Sequence, residues 1–189
     1  YSVDISTPQT FIDATYNQCI YLNNPYGSQC YNTTALLMEN QVGYYPSTCG
    51  TGGARGIWDC KDYNARGNGV THYDLIYNPE DLRVGDIWVS HNGEWGHTGM
   101  VAGSPFWKNG VLYVPLYSTN QGGRNCDRGG QASNIINMSV YCSPLDCEFF
   151  CKVFVIQALK DYCPIYSFFH FRQIIVNNTR HFFCPFLPL

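Results

Sequence analysis

The polar and apolar positions along the chain change period twice. In "DISTPQTFIDATYNQCIYL", Ser6 or Thr7 is placed to cap a helix and Pro8 fits its first turn. Ile12, Tyr16 and Cys19, with Phe11 and Ala14 beside them, then recur at near-helical spacing. The turn residues Asn23, Asn24, Pro25 and Gly27 interrupt this pattern. A second helix is predicted from about Cys30 to Gln41, because Ala35, Leu36, Leu37 and Met38 are strong helix formers and Gly43 supplies a stop. Residues 46–72 are rich in Gly with little periodicity and read as a long loop, with a short helix near Trp58.

Beyond "NPEDLRVGD" the period shortens to that of strands. "DIWVSH", "HTGMVAG", "VLYVPLYST" and "NIINMSVYC" are short, rich in Val, Ile, Tyr and Thr, and separated by Gly and Asn. Helices followed by consecutive strands predict an α+β fold whose sheet is antiparallel. Residues 143–189 differ from everything before them. All 18 Gly lie at or before Gly130, whereas nine of the 11 Phe lie after residue 143. This tail is set apart from residues 5–142 as a segment of unknown role. One helix over about 148–160 with a strand-like run, a surface that packs on a partner and the product of a reading-frame error all stay open for it.

Composition narrows the class. The chain has 189 residues, a net charge of −3 and only 13% charged residues against 16% aromatics. That balance argues against a nucleic-acid binder. No apolar run approaches the roughly 20 residues that span a bilayer. The chain starts at Tyr1 without a targeting segment, so it reads as a processed form or an excised piece. Ten cysteines, spread from Cys19 to Cys184 without the paired spacing of a zinc site, predict an extracytoplasmic protein with disulfides. Cys49 and Cys60 are candidates to close "CGTGGARGIWDC".

Cys30 is placed differently. It follows the turn "NPYGSQ" and opens the second helix, where unpaired backbone N–H groups favour negative charge. A thiolate is stabilised there. The same amides, with the Gln29 side chain, suit an oxyanion. Of the five histidines, His97 stands out on a β-like segment between glycines; His72 and His91 read as exposed, and His170 and His181 have no recognisable partners. "VPLYSTNQGG" then ends a strand in polar groups, so Asn120 or Ser118 is placed to hold the second nitrogen of an imidazole.

Read together, "YGSQC", "VGD", "GHTGMV" and "LYVPLYSTNQGG" resemble, in order and spacing, the landmarks of the CHAP domain, the cysteine, histidine-dependent amidohydrolases and peptidases of endolysins and bacterial cell-wall hydrolases. The resemblance covers about residues 5–142. It implies a papain-like fold, with N-terminal helices packed on an antiparallel sheet of about five or six strands. It also implies catalysis by Cys30 as nucleophile, His97 as general base and Asn120 as orienting group, with Gln29 at the oxyanion. The family often carries Glu at the position of Ser118, and a neutral Ser there stabilises imidazolium less. Where some members hold calcium, this chain has Asn23 and Asn32 in place of carboxylates, so no metal and no other cofactor is expected.

The expected reaction is amide hydrolysis in peptidoglycan through a thioester, by a monomer without nucleic-acid or membrane partners. It is either N-acetylmuramoyl-L-alanine amidase or stem-peptide or cross-bridge endopeptidase action. Trp88, Trp95 and Trp107 are candidates to line a groove, with sheet core the competing place for Trp88. Two rivals are an inactive wall-binding module, in which Cys30 is tied to a partner such as Cys19, and a disulfide-rich structural component of a virion or cell surface.

Overall fold

The computed structural model describes residues 5–66, 71–91 and 93–140, together with the backbone of 153–158. The first helix, α1 (Pro8–Thr15), is capped by Thr7, whose hydroxyl accepts from the Thr10 amide while Thr10 reaches back to the Thr7 amide. The second, α2 (Cys30–Val42), starts at the cysteine and ends on Gly43 at φ 78°, a left-handed turn that glycine adopts without steric cost. Two short helices, α3 (Gly56–Asp59) and α4 (Lys61–Ala65), fill part of the predicted loop, and a 3-10 turn spans Pro79–Asp81.

Seven strands follow: β1 (Tyr73–Ile76), β2 (Ile87–Ser90), β3 (His97–Val101), β4 (Phe106–Lys108), β5 (Val111–Ser118), β6 (Asn134–Val140) and β7 (Val153–Ala158). All pairings are antiparallel, in the order β1-β7-β2-β3-β5-β4 with β6 along β5. The α+β expectation holds, and β2, β3, β5 and β6 are the four strands read from the sequence. β1 and β4 were not read from the sequence: β1 pairs with the distant strand at 153–158, and β4 has only three residues, all exposed. The helix considered for 148–160 is not what forms at 153–158. Val153, Phe154, Val155 and Ile156 strongly favour extended backbone, and this run pairs with β1 on one side and β2 on the other. The rest of that span lies outside the described residues.

One face of the sheet carries Ile87, Val89, Met100 and Tyr117, which bury against Phe11, Leu37, Met38 and Ile57 from the helices. The opposite face carries Trp88, Val101, Leu112, Val114, Leu116 and Val140 in a second cluster. The alternation along each strand thus sends successive side chains into two different cores. Helix α2 is held on its sheet face by hydroxyls as well as by apolar contact. Thr98 donates to the Trp88 carbonyl (2.7 Å) and therefore accepts from Thr34 (2.9 Å). Thr119 donates to the Gln29 carbonyl (2.6 Å) and accepts from Thr33 (3.0 Å), which in turn accepts from the Thr119 amide (3.1 Å).

Among the described residues two disulfides staple the loops. Cys49–Cys60 closes the predicted loop, and Cys19–Cys126 joins the strand-like approach to α2 with the loop after β5. Among the described residues no helix is long and apolar enough to cross a membrane.

Asp86, 3% exposed at the entry to β2, accepts from the Arg83 amide at 2.8 Å. Burial pushes its carboxyl up to about 6, against the smaller opposing effects of that amide and the Arg83 charge. A folded value above the unfolded one means that this group disfavours the folded state increasingly as pH rises from about 4 to about 6. Asp86→Asn keeps the acceptor and removes the charge. Its thermal midpoint is expected to exceed that of the wild type at pH 7 and to match it at pH 4.

Candidate functional site

The start of α2, the start of β3 and the end of β5 meet because α2 docks its first two turns on the two neighbouring strands, which sets the Cys30 sulfur against the amide of Thr98. Thr34 meets Thr98, the residue after His97, and Thr33 meets Thr119, the residue after Ser118. Cys30 is the first residue of α2 and carries a free thiol, while Cys19 is bonded to Cys126. A Cys30–Cys19 bond is thereby excluded. Burial raises the Cys30 thiol above the ordinary range. The amides of Thr98, Tyr31 and Cys30 itself pull it the other way by favouring the thiolate. Among the described residues no hydrogen bond joins this sulfur to the His97 ring.

The ring is fixed from its far side. Nε2 of His97 lies 3.3 Å from Oε1 of Gln121. Both protons of the Gln121 amide are committed, to the carbonyls of Leu116 (3.0 Å) and Asn134 (2.7 Å). Its oxygen can therefore only accept, so Nε2 of His97 must carry the hydrogen and Nδ1 of the neutral ring is the basic atom. Desolvation lowers the His97 pKa, which the Gln121 bond partly offsets. A neutral ring with a free Nδ1 lone pair is suited to accept a proton.

The orienting role expected of Asn120 falls instead to its neighbour. Asn120 sits in the left-handed region at φ 59° and donates through Nδ2 to Oε1 of Gln29 at 2.8 Å. The turn thus sends residue 120 outward to Gln29 and residue 121 inward to the imidazole. Ser118 is fully buried and gives its hydroxyl to the Thr98 carbonyl at 2.6 Å, which takes it out of the imidazole's reach as well. The signal for Gln121 was present in "TNQGG": any carboxamide there serves, and only the turn decides which one faces in.

Gln29 is held at two points. Its oxygen accepts from Asn120, and one of its Nε2 protons goes to the Tyr26 carbonyl at 2.8 Å, leaving the other proton for a ligand oxygen. The loop beneath it is tied to the 120–131 loop through Ser28, whose amide donates to the Gly129 carbonyl (2.9 Å) and whose hydroxyl donates to the Gln131 carbonyl (3.0 Å). Gly27, at φ 76°, stands where a Cβ would collide with the carbonyls of Arg128 and Gly129. Asn32 is structural: its amide donates to the Ile20 and Gly27 carbonyls, both at 2.7 Å, and its oxygen accepts from Asn24. Among the described residues no three His, Cys, Asp or Glu side chains cluster as a metal site would.

On the opposite flank, the Arg55 amide donates to the Trp95 carbonyl (3.1 Å), which docks the Cys49–Cys60 loop against the segment leading into His97. Trp95 and Trp107 are more than half exposed, whereas Trp88 is fully buried and belongs to the sheet core rather than to a groove. Trp107 lies away from Cys30, beside a cavity of about 280 Å³ that includes Glu80 and Val140 in its lining. His91 is exposed, 3.9 Å from Asp59, and His72 is half-buried against Tyr44. His170 and His181 lie outside the described residues.

Two outcomes follow from this geometry. Because burial raises the Cys30 thiol, its alkylation by iodoacetamide is expected to be slow at neutral pH. It should keep rising past the pH at which an unhindered thiol levels off; a plateau below that pH contradicts the assignment. Cys126→Ser frees the loop that carries Asn120 and Gln121. It is expected to destabilise the fold by about 2–5 kcal/mol and to accelerate Cys30 alkylation, both readable on the same preparation.

Comparison with known proteins finds no matching family model, no similar curated protein and no similar solved structure.

Proposed function

We propose that the chain is a papain-like cysteine hydrolase of CHAP type that cleaves an amide bond of bacterial peptidoglycan. It would act as a monomer outside the cytoplasm. The observation that carries this reading is the free thiol of Cys30 at a helix N-terminus, against the Thr98 amide, one residue from a histidine whose tautomer leaves Nδ1 basic. The two disulfides are compatible with an oxidising, extracytoplasmic setting. The order of the Cys, His and carboxamide landmarks supports the family assignment.

In the mechanism that follows, Nδ1 of His97 takes the Cys30 proton as the sulfur attacks the carbonyl carbon of the scissile amide. The remaining Nε2 proton of Gln29 and the Cys30 amide hold the oxyanion. Collapse breaks the C–N bond, and His97 returns its proton to the leaving amine. Water, deprotonated by the same nitrogen, then hydrolyses the thioester and restores the thiol. Gln121 keeps the ring in the reactive tautomer throughout, and Asn120 holds Gln29. The bond is either the lactyl–L-alanine amide or one within the stem peptide or cross-bridge.

A second reading, a wall-binding module without turnover, is favoured by one observation: the resting thiol is raised by burial and has no hydrogen bond to the imidazole among the described residues. Digestion of purified peptidoglycan separates the two. The hydrolase reading predicts new L-alanine amino ends or new bridge or D-alanine ends by mass spectrometry, and a loss of at least about 10³-fold in Cys30→Ala or His97→Ala. Gln121→Leu should cost about 10- to 100-fold, and Asn120→Ala less. Wall binding that persists in all four variants, with no new ends from the wild type, establishes the module reading instead.

A further inference from the structure

His97 is gripped from a side that its proposed chemistry does not use. Strand register pairs Trp88 with Gly99 and Ser90 with His97, so alternation places Trp88 diagonally beside His97 on one face of the sheet. The two rings meet edge to face, with centroids 5.1 Å apart and planes at 63°. Trp88 is fully buried, yet its Nε1–H has no hydrogen-bond partner among the described residues. A buried donor left unpaired is costly, and indole N–H groups in cores ordinarily find an acceptor. The neighbouring residue makes room for it. A Cβ at Gly99 would stand 3.1 Å from Trp88 Nε1 and 2.8 Å from the Ser118 Cβ. The Ser118 hydroxyl is already spent on the Thr98 carbonyl.

We propose that Trp88 is a positioning residue for His97: its indole forms the wall that fixes the plane of the imidazole against Gln121 and keeps the ring neutral until substrate is bound. One physical effect carries this: the indole excludes water from the side of the ring that it covers, which disfavours the charged imidazolium. Among the described residues, Ser90 on β2 and Ser118 and Gln121 at the end of β5 are neutral, and the Cys30 thiol lies against the neighbouring Thr98 amide. Arg55, whose backbone abuts Gly96, and Glu94 on the preceding loop are both exposed. Desolvation is the main cause of the lowered His97 pKa, and Trp88 is the large apolar group on that side.

The inference rests on His97 serving as the base, but its first test does not. In the wild-type full chain, proton and carbon NMR would follow the Trp88 Hε1 resonance and the His97 ring together through a pH titration. The Trp88 signal is expected to shift with the His97 midpoint. An indole proton that ignores the titration overturns the proposal. Trp88→Phe preserves a ring in the wall and removes the N–H; the His97 midpoint is expected to rise by about half a pH unit. Trp88→Leu opens the wall further and should raise it more. On peptidoglycan, the acid limb of the pH–rate profile should move with the midpoint, and kcat should fall several-fold with KM little changed. A substitution that only loosened the core would lower activity at every pH without moving that limb, and this result also overturns the proposal. If the NMR shifts appear and no variant or wild type cleaves peptidoglycan, the hydrolase reading fails while the Trp88–His97 coupling stands.

Discussion

The chain of hydroxyls from Trp88 through Thr98 to Thr34, with its parallel from Gln29 through Thr119 to Thr33, is the constraint on which the rest depends. Threonine is a modest helix former, and two consecutive buried threonines in α2 run against intrinsic preference. Their place is explained by the acceptors they serve. Each proton in both chains has a definite destination, a threonine hydroxyl for Thr34 and Thr33 and a backbone carbonyl for Thr98 and Thr119, so the helix has one register on the sheet. Apolar packing of Leu37 and Met38 alone would tolerate a slide, because methyl groups do not specify partners. A slide of one residue would carry Cys30 away from the Thr98 amide and strip the buried hydroxyls of Thr33 and Thr34 of their partners, each at a cost of about 1–3 kcal/mol.

Around that fixed junction the chain is irregular, and covalent bonds replace secondary structure. The approach to α2 and the loop after β5 share one disulfide and a set of backbone hydrogen bonds centred on Ser28. Tight glycines at 27 and 130 allow the two segments to lie against each other. The opposite flank is closed by the second disulfide, whose loop packs on the segment leading to His97. Gln29, Asn120 and Gln121 thus stand on loops, yet Gln29 and Gln121 are each held by two or more partners and Asn120 is tied to Gln29. Loops anchored in this way combine the accessibility that a site needs with the rigidity that irregular backbone ordinarily lacks.

The same burial that organises the site sets its resting chemistry. Desolvation raises the Cys30 thiol and lowers the His97 imidazole, so both groups rest in their neutral forms. The helix start and the Thr98 amide work against burial at the sulfur, and Gln121 works against it at the ring. In the proposed hydrolase, such a pair would exchange a proton only when a ligand's developing charge tips the balance, which is the differential stabilisation that catalysis requires.

Much of this was legible in the residues themselves. The cap at Thr7, the stop at Gly43, the extended period of β2, β3, β5 and β6, the Cys49–Cys60 pair and the separate character of Cys30 and His97 all follow from local rules, because neighbours in sequence decide them. What the sequence left open was decided over distance. The identity of the partner of Cys19 lies 107 residues away, and no spacing rule reaches that far. The strand at 153–158 is inserted between β1 and β2, where long-range pairing replaces the helix that the same residues could locally form. Asn120 and Gln121 are near-equivalent as carboxamides, and the positive φ at Asn120 alone sends one outward and the other to the ring. Trp88 reads as core by its pattern, and only strand register places its ring beside the histidine. Local free-energy preferences select elements and candidate chemistry; which groups touch is set by register and turn geometry, which are properties of the folded chain as a whole.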